Sequence, residues 1–172
     1  MKKLILLSIG LSLLMYSCSD SNNLPSDNTN LKVETYIMFF NHTFMPDTFS
    51  YSDYIKIINT DDSKLRTAFS LLHNKYDNYE GGIEEFKILL NDPDKELLVN
   101  SESRLVNNGD AKVDVYRMQN RIYNPALPFT DFMKLISDNP DSQLLNDCYK
   151  DFINTGYNRS KEDFKILLGI SN

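Results

Sequence analysis

An internal repeat constrains the fold of this chain more than any other feature of its sequence. Three blocks, at residues 32–38, 52–58 and 84–90, return in the same order at 112–118, 130–136 and 162–168, and the last pair shares the run Phe-Lys-Ile-Leu-Leu. Similar helix starts can recur by chance, but several blocks kept in one order at nearly one offset favour a tandem duplication. We therefore predict a first unit over residues 32–100, a linker over 101–111 and a second unit over 112–172.

Each unit is predicted to open with a β-hairpin. The runs 33–40 and 113–118 are rich in β-branched and aromatic residues, and a polar pair follows each run, as is typical of a strand that ends in a turn. Short return strands are expected over 43–45 and 121–123, each close to a proline. The sequence Asn107-Asn108-Gly109-Asp110 is a turn signal and marks the linker.

Helices are predicted after each hairpin, because their starts carry capping chemistry. Ser50 and Ser160 each have an aspartate three residues later, which is the spacing of a capping box. Asp92-Pro93 and Asn139-Pro140 place a cap before a proline, whose missing N–H is harmless at the first helical position. These elements predict a helix-rich α+β fold made of a duplicated hairpin-plus-helices unit, with an all-α fold as the alternative.

Two apolar stripes are expected to form the core of the units. One consists of Leu65, Phe69, Leu72 and Tyr76, and the other of Leu145, Tyr149 and Phe152, each at helical spacing. A buried packing role is favoured for both stripes over a ligand-binding groove. Cys148 has helical spacing from the second stripe, so it is expected to be a small core residue rather than a reactive thiol.

The first residues of the chain form a secretory leader rather than a membrane-spanning helix. Lys2 and Lys3 precede an uncharged, mostly apolar run over residues 4–16. This run is shorter than the roughly 20 apolar residues that a helix needs to cross a bilayer. Residues 1–17 are therefore predicted to be a signal peptide that is removed from the mature protein.

The end of this leader resembles the lipobox of bacterial lipoproteins. In Leu14-Met15-Tyr16-Ser17-Cys18 a small residue precedes the cysteine, although Tyr16 is bulkier than is usual at its place. The resemblance implies that Cys18 is acylated and becomes the first mature residue, and its acyl chains would hold the protein stably on a membrane. The alternative is an ordinary leader with a chance cysteine. We expect a lipid-anchored protein of the bacterial cell envelope, with the outer membrane favoured and its periplasmic or surface-facing side left open.

A polar tether and an acidic body follow Cys18. Residues 18–31 have almost nothing apolar to bury, so they are predicted to be a disordered tether. The whole chain carries 24 acidic and 18 basic residues, for a net charge of −6. Because binding to a phosphate backbone depends on clustered Lys and Arg, we expect no nucleic-acid partner.

No group of residues in the sequence indicates a catalytic or metal site. His42 and His73 stand at no metal-ligand spacing from Cys, Asp or Glu, and are expected in a surface turn and on a helix flank. The run that begins at Asp92 has Leu97 where a calcium loop needs glycine. We therefore predict no cofactor, no metal and no enzymatic activity, and Cys18, the lipidation site, is the one predicted site residue.

The order of elements, with Tyr157 five residues before Glu162-Asp163-Phe164, resembles small hairpin-helix repeats of phage-encoded structural proteins. This resemblance carries no functional residues and implies interaction modules rather than catalysts. The expected function is that of a non-enzymatic binding module, with the membrane and an unidentified protein as its partners. An envelope enzyme with a site built from scattered Asp, Glu and Tyr, and a glycan-capturing lipoprotein that stacks sugars on exposed tyrosines, are the alternatives.

Overall fold

The computed structural model describes residues 24–94, 96–97, 108–120 and 127–170. These residues form eight α-helices and contain no β-strand. The helices are α1 (Asn28–His42), α2 (Tyr51–Thr60), α3 (Asp62–Lys75), α4 (Ile83–Asn91), α5 (Asn108–Asn120), α6 (Phe129–Asp138), α7 (Gln143–Ile153) and α8 (Lys161–Leu167). The predicted α+β class is therefore wrong, and the described part of the chain is all-α.

The runs predicted as the first strand of each hairpin are helical. Residues 33–40 lie within α1 and residues 113–118 within α5, while residues 43–45 belong to the turn after α1. Because α1 packs against α2, α3, α4 and α6, its buried residues do not form a single stripe. A helix buried on several sides shows no clean helical period, and its β-branched and aromatic residues then mimic a strand. The return strand predicted over 121–123 lies outside the described residues.

The starts of α1 and α5 also differ from the predicted boundaries. Helix α1 begins at Asn28, within the range predicted as tether, and α5 begins at Asn108, within the predicted linker. Gly109 and Asp110, expected in a turn, belong to the first turn of α5. The signal peptide, Cys18 and most of the linker lie outside the described residues.

Helices α5 to α8 follow the same order as α1 to α4, and their buried residues fall at matching places. The matching buried pairs are Tyr51 and Phe129, Tyr54 and Phe132, Ile58 and Ile136, Leu65 and Leu145, Ala68 and Cys148, Leu72 and Phe152, Phe86 and Phe164, and Leu90 and Leu168. All of them belong to one continuous hydrophobic cluster that also takes in α1 and α5. The two units therefore share a core. Both predicted stripes pack into it, with Phe69 and Tyr149 half-buried at its edge.

Two of the four helix starts that were predicted from capping chemistry are correct, and two are wrong. Ser50 and Ser160 form complete capping boxes with Asp53 and Asp163, as predicted, and each cap stabilises its helix by about 1 kcal/mol. The starts predicted at the two prolines are wrong. Asp92 and Asn139 instead follow the last residues of α4 and α6, and Ser142 caps α7. A polar residue before a proline also suits a chain that is leaving a helix, since the residue before proline avoids helical backbone.

Candidate functional site

The chain leaves α1 through a tight turn centred on Phe44. The N–H of Met45 donates to the carbonyl of Phe40 at 3.1 Å, and that of Thr43 donates to the carbonyl of Phe39 at 3.0 Å. The first of these bonds is the six-to-one bond of a Schellman turn, which requires a left-handed backbone at residue 44, a place usually taken by glycine because a Cβ is strained there. Phe44 occupies that place, with φ at 51°.

The end of α8 shows the usual form of the same turn. There Gly169 has φ at 73°, and the N–H of Ile170 donates to the carbonyl of Lys165 at 2.9 Å. A residue with a Cβ in this conformation costs about 1–2 kcal/mol relative to glycine. The Phe44 side chain is 93% exposed, so packing of the ring offsets little of that cost. Backbone strain of this kind clusters at functional sites, which makes Phe44 the leading candidate in the described chain.

The loop that carries Phe44 is held at several points. Within this Phe44 loop (residues 43–49), the carbonyl of Phe49 accepts a hydrogen bond from the Tyr36 hydroxyl at 2.7 Å. Arg117, from α5, donates to the carboxylate of Asp47 at 3.1 Å and to its carbonyl at 3.3 Å. The guanidinium also lies 4.3 Å from the centre of the Phe40 ring. The ring of Phe44 is thus presented by a preformed loop, which lowers the entropy lost when a ligand binds.

A shallow groove begins beside this loop and runs along the outer side of α3. Its volume is about 540 Å³. The lining of this α3 groove consists of His42, Asp62, Ser63, Arg66, Thr67, Ser70, Leu71 and Asn74. Because Phe44 follows His42 by two residues, the Cα atoms of these two residues lie within about 7 Å of each other. The backbone of Phe44 therefore lies close to His42, which lines the groove, although the ring itself is not part of the lining.

The groove is polar, and its charges are largely balanced. Asp62 and Arg66 form an ion pair at 2.8 Å, and the Thr67 hydroxyl donates to the carbonyl of Ser63 at 2.9 Å. The side chains of Ser70 and Asn74 make no hydrogen bond to any other described residue. The groove thus offers hydroxyl and amide groups that can both donate and accept hydrogen bonds to a ligand.

The histidines occupy different surroundings. His42 is the last residue of α1, rather than part of a surface turn, and lines the groove. His73 is exposed on α3, where its ring contacts those of Phe69 and Tyr79, with centroids 4.8 and 5.7 Å away. Within the described ranges, no group of three or more His, Cys, Asp or Glu side chains is placed to hold a metal ion.

Cys148 is fully buried on α7, which confirms its prediction as a core residue. Burial, and then the nearby charge of Asp151, raise the pKa of its thiol to about 12. At neutral pH the sulfur is therefore a protonated thiol, and thiols react as thiolates. Cys148 therefore packs in the core, and its thiol is not placed to react with a molecule at the surface.

Sequence reasoning missed Phe44 because residues 43–45 were assigned to a return strand. Pro46 is the signal that points to the turn, since it stands three residues after the C-cap Thr43 and proline is common one to three residues beyond the end of a helix. The positive φ of Phe44 has no such signal, because phenylalanine is seldom found in that conformation. Cys18, the predicted lipidation site, lies outside the described residues.

None of the described helices is both long enough and apolar enough to cross a bilayer. Comparisons of this chain with protein-family models, with curated proteins and with solved structures found no match.

Proposed function

We propose that this chain is a lipid-anchored, non-enzymatic binding protein of the bacterial cell envelope. In this proposal Cys18 carries the acyl chains, the outer membrane holds them, and the body binds another macromolecule through the Phe44 loop. The observation that carries the proposal is the exposed ring of Phe44 on a strained backbone. An exposed ring on a strained backbone adds little to the stability of the fold, whereas a ligand that covers the ring explains why a phenylalanine stands at this position.

The lengths of the elements support this arrangement. Cys18 stands ten residues before Asn28, where α1 begins. The 15 residues of α1 then span about 22 Å, and the Phe44 loop follows the far end of this helix. In the sequence the anchor thus precedes α1 and the binding loop follows it, and the length of this helix separates Asn28 from the loop.

Site-specific photocrosslinking in intact cells tests the proposal. A benzophenone-bearing amino acid replaces Phe44 in the full-length chain, and the same amino acid replaces Ile88 in a control chain. Ile88 is a suitable control because it is 70% exposed on α4 and lies outside both the loop and the groove. We expect a covalent adduct of higher mass from position 44 and none from position 88. If position 44 forms no adduct, or both positions form the same one, the proposal is wrong.

A further inference from the structure

We infer that the α3 groove and the ring of Phe44 together form a binding site for a neutral glycan. This inference rests on the proposed function and names the chemical class of its ligand. Three observations carry it: the polar side chains that line the groove, the exposed ring of Phe44 two residues after His42 of the lining, and the ion pair that neutralises Arg66 of the groove with Asp62.

The groove matches the hydrogen-bonding groups of a sugar. Sugar hydroxyls both donate and accept hydrogen bonds, and so do the hydroxyl of Ser70 and the amide of Asn74. Neither of these side chains has a hydrogen-bond partner among the described residues, so both are available to a ligand. They lie one turn apart on the same side of α3, where they can contact neighbouring hydroxyls of one sugar chain.

The ring of Phe44 matches the apolar side of a sugar. A pyranose has one face made largely of C–H groups, and an exposed aromatic ring offers a flat apolar surface for such a face. The Schellman turn and the bonds from Arg117 and Tyr36 fix the loop that carries the ring before any ligand arrives. Stacking on the ring therefore requires little further ordering of the protein.

The shape of the groove favours a chain-like ligand over a small molecule. From Asp62 to Asn74 the outer side of α3 runs for about 18 Å. The groove is shallow along this length, whereas small-molecule sites enclose most of their ligand. An elongated, polar and open surface suits several linked sugars that lie side by side.

A peptide fits the groove less well. An extended peptide usually adds to the edge of a sheet, and the described residues form only helices. An amphipathic helix needs an apolar groove, and Leu71 is the one apolar residue in the lining. Charge argues against an acidic polysaccharide, because Arg66 is paired with Asp62 and the chain as a whole is acidic.

Affinity electrophoresis of the full-length protein in detergent micelles tests this inference. Native gels contain soluble starch, galactomannan or xylan as neutral probes, and polygalacturonate as the acidic probe. We expect at least one neutral polysaccharide to retard the protein. Phe44→Ala and Asn74→Ala should each weaken that retardation by about tenfold in apparent Kd, the size expected for a residue central to a binding site. Ile88→Ala is the matched control and should migrate as the unaltered protein does.

Two results would overturn the glycan assignment. One is a protein that none of the three neutral polysaccharides retards, or that polygalacturonate retards more strongly. The other is retardation that survives unchanged in both Phe44→Ala and Asn74→Ala. A polypeptide adduct at position 44 without retardation would overturn the glycan and leave the proposed binding function in place. The absence of both adduct and retardation would overturn both.

Discussion

Asn30 on α1 and Asp110 on α5 occupy matching places in the two units, and each holds the start of a helix in the other unit. The side-chain oxygen of Asn30 accepts the N–H of Thr130 at 3.0 Å, and its amide donates to the Thr130 hydroxyl at 2.9 Å. The carboxylate of Asp110 accepts the N–H of Ser52 at 2.7 Å and also accepts the Ser52 hydroxyl. The units are thus joined crosswise, by one neutral contact and one that can ionise.

The Asp110 contact predicts a dependence of stability on pH. Burial, and then the charges of Asp114 and Asp53, raise the pKa of Asp110, while the hydrogen bonds from Ser52 oppose the shift. A carboxyl whose folded pKa is raised binds its proton more tightly in the folded state. The ionised form therefore lowers stability at neutral pH, and this penalty disappears as the pH falls through the folded pKa.

We expect Asp110→Asn to raise the Tm at pH 7 by about 2–4 °C, a shift that corresponds to roughly 1 kcal/mol in a chain of this size. The amide can donate to the Ser52 hydroxyl, as Asn30 does to Thr130. The gain over the unaltered protein should shrink as the pH is lowered toward 4, and thermal unfolding followed by circular dichroism measures it. A gain that is constant with pH would show that ionisation of Asp110 does not set the difference.

The reverse substitution, Asn30→Asp, tests the neutral contact. The Thr130 hydroxyl can donate to the new carboxylate, as the Ser52 hydroxyl does to Asp110, but the substitution places a second charge in the crosswise contacts. We expect it to lower stability at pH 7 by about 1 kcal/mol, because an ionised carboxylate loses hydration at this half-buried position. Urea unfolding at pH 7 measures the loss. Equal stability of Asn30→Asp and the unaltered protein would argue against the crosswise contacts as a stabilising feature.

Cys148 should react with thiol reagents only when the body unfolds. Its burial and its raised pKa leave almost no thiolate at neutral pH. We expect modification by Ellman's reagent at pH 7 to be more than about a hundredfold slower in buffer than in 6 M guanidinium, given how rarely a stable core opens. Rapid modification of the folded protein would mean that α7 opens far more readily than its packing indicates.

Lipidation is predicted to depend on Cys18 alone. Cys18→Ala should abolish labelling by radioactive palmitate and leave the leader uncleaved by the lipoprotein-specific peptidase, while the folded body keeps its helical circular dichroism spectrum. Cys148→Ala serves as the matched control, since it removes the other cysteine and should label normally. Palmitate on the Cys18→Ala protein would rule out the lipobox assignment.

The two capping boxes were readable from the sequence, whereas the starts predicted at the prolines and the fold class were not. The capping boxes at Ser50 and Ser160 were predictable because they involve residues three positions apart. The strand assignment failed at α1 because the pattern of burial depends on four neighbouring helices rather than on local spacing. Val33, Tyr36 and Phe39 of α1 are residue types that strands favour, but in the structure they lie in a helix that other helices surround.

The candidate site was hidden for a related reason. His42 and the polar residues of α3 are far apart in the sequence, and only the packing of α1 against α3 brings them together. The left-handed backbone of Phe44 depends on how the turn closes α1, and phenylalanine gives no indication of it. The groove residues Ser70 and Asn74 read as ordinary solvent-facing positions of a helix.

The thermal unfolding of Phe44→Gly tests whether Phe44 serves binding rather than folding. Glycine relieves the left-handed backbone and removes a ring that packs on little, so we predict that the Tm rises by about 2–4 °C, the equivalent of roughly 1 kcal/mol. Phe44→Ala, which removes the ring and keeps the strained Cβ, should leave the Tm nearly unchanged. A Tm for Phe44→Gly that falls by several degrees would show that the ring stabilises the fold, and would contradict the assignment of Phe44 to binding.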